Sequence, residues 1–320
     1  MTSGEAENIH TSVLADEILD LAVAAMPTLV IDATLGMGGH TERLLEKFRD
    51  ARVIGIDHDR EAIEHAKRRL AQFGERVAVV KSNFESIAEI AKEHAKDGVD
   101  LIIADLGVSS LQFDSGERGF SFRFDADLDM RMDPESGGPT AADMLNELRE
   151  EEIANIIYEF GEERKSRKIA RWIVEKREAG TPIEKTGDLA ALVQRAVGRG
   201  KKDAIHPATR TFQALRIAVN DELGVLERFL NDAIGVLKQN GILAVISFHS
   251  LEDRVVKQTF QKQSGRCFCP PRIPQCVCGA EKRVQILTKK PIIPGEDEMR
   301  ANPRSRSAKL RAAKRLLPLK

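Results

Sequence analysis

LVIDATLGMGGHT, residues 29–41, decides how the rest of the chain is to be read. Leu29, Val30 and Ile31 are aliphatic and are followed by turn-forming residues, which predicts a short buried strand. The strand ends in an acid, Asp32, and then in a loop holding Gly36, Gly38 and Gly39. Glycine lets a backbone turn sharply and lets a ligand come close to it. The next residues, TERLLEKF, carry apolar side chains at helical spacing, so the loop opens a helix whose first amides face the same cleft. Together these features describe a nucleotide-type site without saying which nucleotide.

The pattern repeats outward from there. RVIGIDHD (52–59) is a second strand ending in Asp57, and REAIEHAKRRLAQF is the helix after it. VAVVKSNF (77–84), a further helix and VDLIIADLG (99–107) complete a β-α-β-α-β-α-β order. That order predicts a parallel sheet wound with helices, with ligands at the carboxyl ends of the strands. Asp32, Asp57, Asn83 and Asp105 all fall at that edge. A single acid there suits a helix cap; several together indicate a site.

From about Gln112 to His206 the rhythm stops. GERGFSFRFDADLDMRMD is followed by amphipathic stretches, among them AADMLNEL, EEIANIIYEF, KSRKIARWIVEKR and DLAALVQRAV. These predict an inserted helical domain over 113–206, with the sheet domain in 1–112 and 207–320. The second part opens with one long helix, HPATRTFQALRIAVNDELGVLERFLNDAIGVLKQ, followed by a strand, GILAVISFHS (241–250). RVQILTKKPI and SAKLRAAKRL supply the last two strands, although the second reads equally well as helix.

A chain of 320 residues, 42% hydrophobic with charges of both signs, can bury one large core or two smaller ones. No apolar run nears the roughly 20 residues of a membrane span. The first residues lack the basic-then-apolar order of a secretory signal, so the expectation is a cytoplasmic protein. The net charge of -1 hides a basic segment from Glu281 to Lys320, with twelve Lys and Arg against four Asp and Glu. Such an end suits contact with a polyanion, although a solvated surface is the commoner meaning of any one cluster.

A dinucleotide site calls for G-x-G-x-x-G. Gly36 and Gly38 fit, but Thr41 stands at the third glycine position. Asp57, about twenty residues on, is where an acid accepts ribose hydroxyls in both NAD and S-adenosylmethionine sites. D-x-x-x-G-x-G-G is nearer the methyl-donor pattern. HTSVLADEIL and DATLGMGGHT are then followed, in order, by ADLGVSSLQFD, ERGFSF, LDMRMD, HPATRTFQALRIAVN, ISFHSLEDR and NPRSRSAKLR. In these motifs, from about His10 to Arg315, the chain resembles the bacterial small-subunit ribosomal RNA (cytosine-N4)-methyltransferases, the RsmH or MraW family.

The resemblance implies an α/β fold: a seven-stranded, Rossmann-like class I methyltransferase core with a helical insertion that helps to bind RNA. It implies S-adenosyl-L-methionine as cofactor. The implied substrate is a cytosine in the decoding region of 16S ribosomal RNA, naked or within the assembled small subunit. The implied site has Gly38, Gly39 and His40 as the donor loop, Asp57 on the ribose, Phe84 against the adenosine, and Asp105 and Gln112 beside the methionine end. Without the resemblance, Phe84 reads as a core aromatic and His40 as a polar residue at a helix start.

The cytosine N4 lone pair is delocalised into the ring, so the amine must be held in line with the electrophilic methyl. Positioning alone supplies up to roughly 7–11 kcal/mol in favourable cases. An acceptor for the N4 hydrogens helps, and Asp105 is the candidate; no catalytic metal is required. Many amino-methyltransferases place an aromatic after two prolines at this turn, where it stacks on the flipped base. Asp105-Leu106-Gly107-Val108 has neither proline nor aromatic, which leaves Phe120, Phe122 or Phe248 for the stack. Ser109 and Ser110 either meet the base edge or cap a turn. Arg164, Lys168 and Arg171 share a helix face, and Arg199, Lys201, Lys202, Arg210 and Arg216 extend the positive charge, which suits phosphate contacts.

All four cysteines, Cys267, Cys269, Cys276 and Cys278, lie in CFCPPRIPQCVC as two C-x-C pairs. They read either as a structural Zn²⁺ site or as thiols in a loop, and not as disulfides in a reducing compartment. Two other readings of the whole chain stay open from sequence: an NAD-dependent dehydrogenase, and a non-catalytic RNA-binding assembly protein on a methyltransferase fold. Monomer against homodimer is open as well.

Overall fold

The computed structural model describes residues 12–106, 118–134, 137–198, 206–270, 275, 277, 278 and 280–317. The chain divides into two compact units, Met1–Gly107 with Val225–Lys320, and Val108–Gly224.

The first unit holds strands β1 (Leu29–Asp32), β2 (Arg52–Asp57), β3 (Val77–Lys81), β4 (Val99–Asp105), β5 (Leu237–Ser247), β6 (Val284–Ile286) and β7 (Lys309–Arg315). They form one seven-stranded sheet in the order β3-β2-β1-β4-β5-β7-β6. Strands β1 to β5 run parallel, and β7 is antiparallel to both β5 and β6. Strands covered on both faces must be apolar throughout, and Leu101 to Ala104 and Ile242 to Ile246 are all buried.

Successive side chains take opposite faces. Val30, Val53 and Leu101 pack with Ile18 of α1 (Ala15–Ala25) and with Leu44 and Leu45 of α2 (Gly39–Lys47). Ile31, Ile54 and Ile102 pack with Ile87 and Ile90, and with Phe229, on the other side. Helices α3 (Arg60–Leu70) and α4 (Ile87–His94) complete the crossovers after β2 and β3. The sheet order reverses between β1 and β4, the switch point at which such folds open a binding crevice.

SAKLRAAKRL is strand, not helix. Lys, Leu, Arg and Ala favour helix locally, but Leu310, Ala312 and Ala313 are buried where β7 pairs with its neighbours. Arg311 donates to Asp253 at 2.6 Å, so part of the basic end is sheet and internal ion pair.

The second unit is helical: α5 (Ala141–Glu147), α6 (Glu150–Gly161), α7 (Ser166–Glu178), α8 (Thr186–Val197) and α9 (Thr209–Val219). Phe120, Ile153, Ile157, Leu192, Phe212 and Leu215 share its core. Because α9 supplies part of that core, the division falls after Gly224 and not at His206. The long helix expected over 206–239 is broken at Asn220–Asp221, where Asp221 takes φ 46°, and resumes as α10 (Glu222–Val236). The break is pinned. Asn220 accepts from Met132 N and donates to Met130 O, both at 2.8 Å, tying LDMRMD to α9. Arg216 grips Glu222 through two hydrogen bonds, at 2.7 and 2.9 Å.

Candidate active site

The loop after β1 is held from β2: Leu35 N donates to Ile56 O at 2.9 Å, and Gly36 N to the Asp57 carboxylate at 2.8 Å. Gly38, with φ 80°, begins α2, and among the described residues no side chain caps that helix. Its first amides therefore keep their capacity for a ligand's acceptors. Gly39 is glycine for another reason. A Cβ there would overlap Ser12 Oγ, so the close neighbour is the chain's own segment before α1.

Asp32 is buried at the end of β1 and accepts from Thr41 Oγ1 at 2.7 Å and Thr34 N at 3.4 Å. Burial holds its carboxyl above the ordinary value, and the charge of Asp105 adds to this; His40, Thr41 and Thr34 work against it. His40 is buried, and among the described residues neither ring nitrogen has a hydrogen-bond partner. Its Nε2 lies 3.7 Å from Asp105 Oδ2. Asp105 Oδ1 also lacks a partner, while Asp105 N donates to Thr34 Oγ1 at 2.6 Å. Buried polar atoms are nearly always paired, so three without partners at one point suit a ligand bearing its own donors and acceptors.

Asp57 ends β2 and accepts from Gly36 N and from Asp59 N, each at 2.8 Å. Burial pushes its carboxyl above the ordinary value despite those bonds. Phe84 begins a short turn after β3 and sits half-buried, edge-on to Phe229 at 5.0 Å. Asn83 caps that turn by accepting from Glu85 N at 3.0 Å, so this polar strand end is structural. Phe84, Asp57, the glycine loop and Asp105 follow strands β3, β2, β1 and β4. Three strand spacings span about 14 Å, a reach suited to a nucleoside joined to an amino-acid chain. Gln112, Ser109 and Ser110 lie outside the described residues, as do Arg199, Lys201, Lys202 and Cys276.

One residue at this edge escaped the sequence reading as a site member: His249, beyond β5. Asp105 pairs with Ile246, so Phe248 and His249 leave the sheet beside it and start α11 (Ser250–Gln263). His249 Nδ1 accepts from Glu252 N at 3.3 Å, and the Glu252 carboxylate accepts from Phe248 N at 2.8 Å. The available signal was His-x-x-Glu at a strand-to-helix junction, a variant of the capping box.

Of the three stacking candidates, Phe120 is closed inside the helical core. Phe122 packs on Phe212 at 5.1 Å, and Phe248 stands at the sheet edge. The basic face also changes meaning. Lys168 donates to Ala196 O at 3.1 Å and Lys165 to Val197 O at 2.6 Å, together capping the carboxyl end of α8. Arg216 is spent on Glu222, whereas Arg164 is exposed.

A mixed sheet, parallel from β1 to β5, with a glycine loop after its first strand, an acid closing the second and an unpartnered polar atom on the fourth defines a nucleotide-binding transferase of the class I methyltransferase type. The chain belongs to the MraW methylase family, which it matches over residues 7–316. It is 49% identical over 310 residues to the Ribosomal RNA small subunit methyltransferase H of Heliobacterium modesticaldum, covering 96% of this chain and 98% of that one. The protein of the same name from Geobacter sulfurreducens is 50% identical over 309 residues, covering 96% and 99%. Membership makes S-adenosylmethionine the cofactor and disfavours the dehydrogenase and non-catalytic readings. The unpartnered atoms of His40 and Asp105, with the acid of Asp57, fit a ligand of that chemistry. Among the described residues no helix is long and apolar enough to cross a membrane.

Proposed function

We propose that this chain methylates the N4 amine of a cytosine in the decoding region of 16S ribosomal RNA, in the cytoplasm, using S-adenosyl-L-methionine. The observation that carries the site assignment is buried His40 beside half-buried Asp105, with both His40 ring nitrogens and Asp105 Oδ1 lacking hydrogen-bond partners among the described residues. The small-subunit RNA substrate is supported by the names of the relatives.

S-adenosylmethionine supplies an electrophilic methyl on a sulfonium when bound. Asp57 would accept the ribose hydroxyls, Phe84 would lie against the adenosine, and Gly38, Gly39 and His40 would border the amino-acid end. Asp105 accepts a hydrogen of the cytosine amine, which localises the nitrogen lone pair and fixes its approach. The amine becomes acidic once methylated, so no strong base is needed to release the proton. The helical unit presents the RNA, with Arg164 among its phosphate contacts.

The test offers labelled methyl donor to unmodified small subunits and to protein-free 16S RNA, followed by nucleoside mass spectrometry. N4-methylcytidine in either is the expected product. Label on another nucleoside, or none, would end the assignment.

A further inference from the structure

Among its described residues, the segment between α11 and β6 has no core of its own. A bridge between Ser264 and Lys282, and a hydrogen bond from Arg283 N to Gln263 O at 2.7 Å, close its base. Among the described residues from 265 to 283 none is buried, and Phe268 and Val277 are 48% and 76% exposed. Ordering a residue costs about 1–2 kcal/mol of backbone entropy. Apolar burial does not offset that here, so another interaction must hold the shape.

Three sulfurs stand where that interaction would be. The Sγ atoms of Cys267, Cys269 and Cys278 all lie within 4.8 Å of one another, with 3.7 Å between Cys267 and Cys278. A disulfide would need about 2.05 Å. Sulfurs bound to Zn²⁺ at about 2.3 Å stand about 3.8 Å apart along the edges of a tetrahedron. Backbone amides also point at the sulfurs: Cys269 N at Cys267 Sγ and Val277 N at Cys269 Sγ, each at 3.4 Å. Hydrogen bonds to the charged form favour it, here the thiolate a metal requires.

We propose that Cys267, Cys269 and Cys278 are thiolate ligands of a structural Zn²⁺ that folds the segment between α11 and β6. Soft sulfur ligands select zinc over magnesium or calcium. The metal is not catalytic: β6 is the last strand of the sheet, whereas the proposed donor site follows β3 to β4. Its part is to replace the missing core, holding Phe268, with Arg266 over its ring at 5.8 Å, out on the surface.

The test uses the full chain purified under reducing conditions without chelator. Elemental analysis should find about one zinc per chain, and cobalt exchange should give the ligand-field and thiolate charge-transfer bands of a tetrahedral site. Cys267→Ser and Cys278→Ser should each weaken zinc binding at least about 100-fold, beyond the 10- to 100-fold typical of changes around a metal's ligands. Phe268→Ala, which removes no ligand, should retain the metal and guards against a general folding defect. Zinc should protect three or more thiols from a thiol reagent. Absence of stoichiometric metal and of the cobalt bands in the reduced chain would overturn the proposal, as would zinc retained undiminished in both serine variants.

Discussion

Asp105→Asn separates a binding group from a structural one. The side chain keeps its shape, and among the described residues Oδ1 has no hydrogen-bond partner to lose. Oδ2 lies 3.7 Å from His40 Nε2, beyond hydrogen-bond length. The backbone bond from Asp105 N to Thr34 Oγ1 does not involve the side chain and survives. Leaving a buried polar atom unpaired costs about 1–3 kcal/mol, and an amide is less expensive to bury than a carboxylate. The variant should therefore be as stable as the parent, or more so by up to about 1 kcal/mol, a rise of about 2–4 °C in a unit of this size. Binding should move the other way. A charge-assisted hydrogen bond from a ligand contributes about 1.5–3 kcal/mol, so its loss reads as a fall of roughly 10- to 150-fold. The assay pairs thermal denaturation with single-turnover methylation of small subunits at saturating donor. Methylation at the parental rate, with a folded variant, would remove Asp105 from the chemistry. A large loss of stability would refute the claim that the side chain is unused by the fold.

Three further expectations follow from the same geometry. Burial raises the Asp57 carboxyl above its ordinary value of 3.8, so the folded chain holds that proton more tightly than the unfolded chain. Its contribution to stability is therefore lost as pH rises from 3.8 through the folded value. Ribose hydroxyls that donate to the carboxylate favour the ionised form, so donor affinity should weaken as pH falls through the same window. Calorimetry across pH should show Asp57→Asn flattening that fall, and an unchanged profile would exclude the contact. Gly39→Ala should destabilise by about 1–3 kcal/mol through overlap with Ser12 Oγ. Ser12→Ala should recover part of the loss, with a coupling of at least about 0.5 kcal/mol, and strict additivity would show that the overlap is relieved elsewhere. Asn220→Ala loses hydrogen bonds to Met132 N, Met130 O and Arg216 O, and should lower stability by about 1–3 kcal/mol. A denaturant titration finding no change would mean that LDMRMD is held by other contacts.

What the chain reveals from its letters alone is what depends on neighbours in sequence. The strand LVID, the glycine loop and the helix beyond it show themselves through short-range periodicity and turn chemistry, and so do the amphipathic helices of the insertion. Acids at the ends of β1, β2 and β4 share one edge because parallel strands joined by helices must all point the same way. The motifs also carried the family. Tertiary structure decided the rest. SAKLRAAKRL is composed of helix formers, and only pairing with β5 and β6 makes it a strand. Lys168 and Arg216 look like cations for a phosphate until their partners, Ala196 O and Glu222, are in place. That a side chain at Gly39 would meet Ser12 shows only once the segment before α1 is in place. His40 and Asp105, far apart in sequence, become neighbours only when β1 and β4 lie side by side. Local pattern reports which way a backbone turns; which polar atom is left without a partner depends on the whole fold around it.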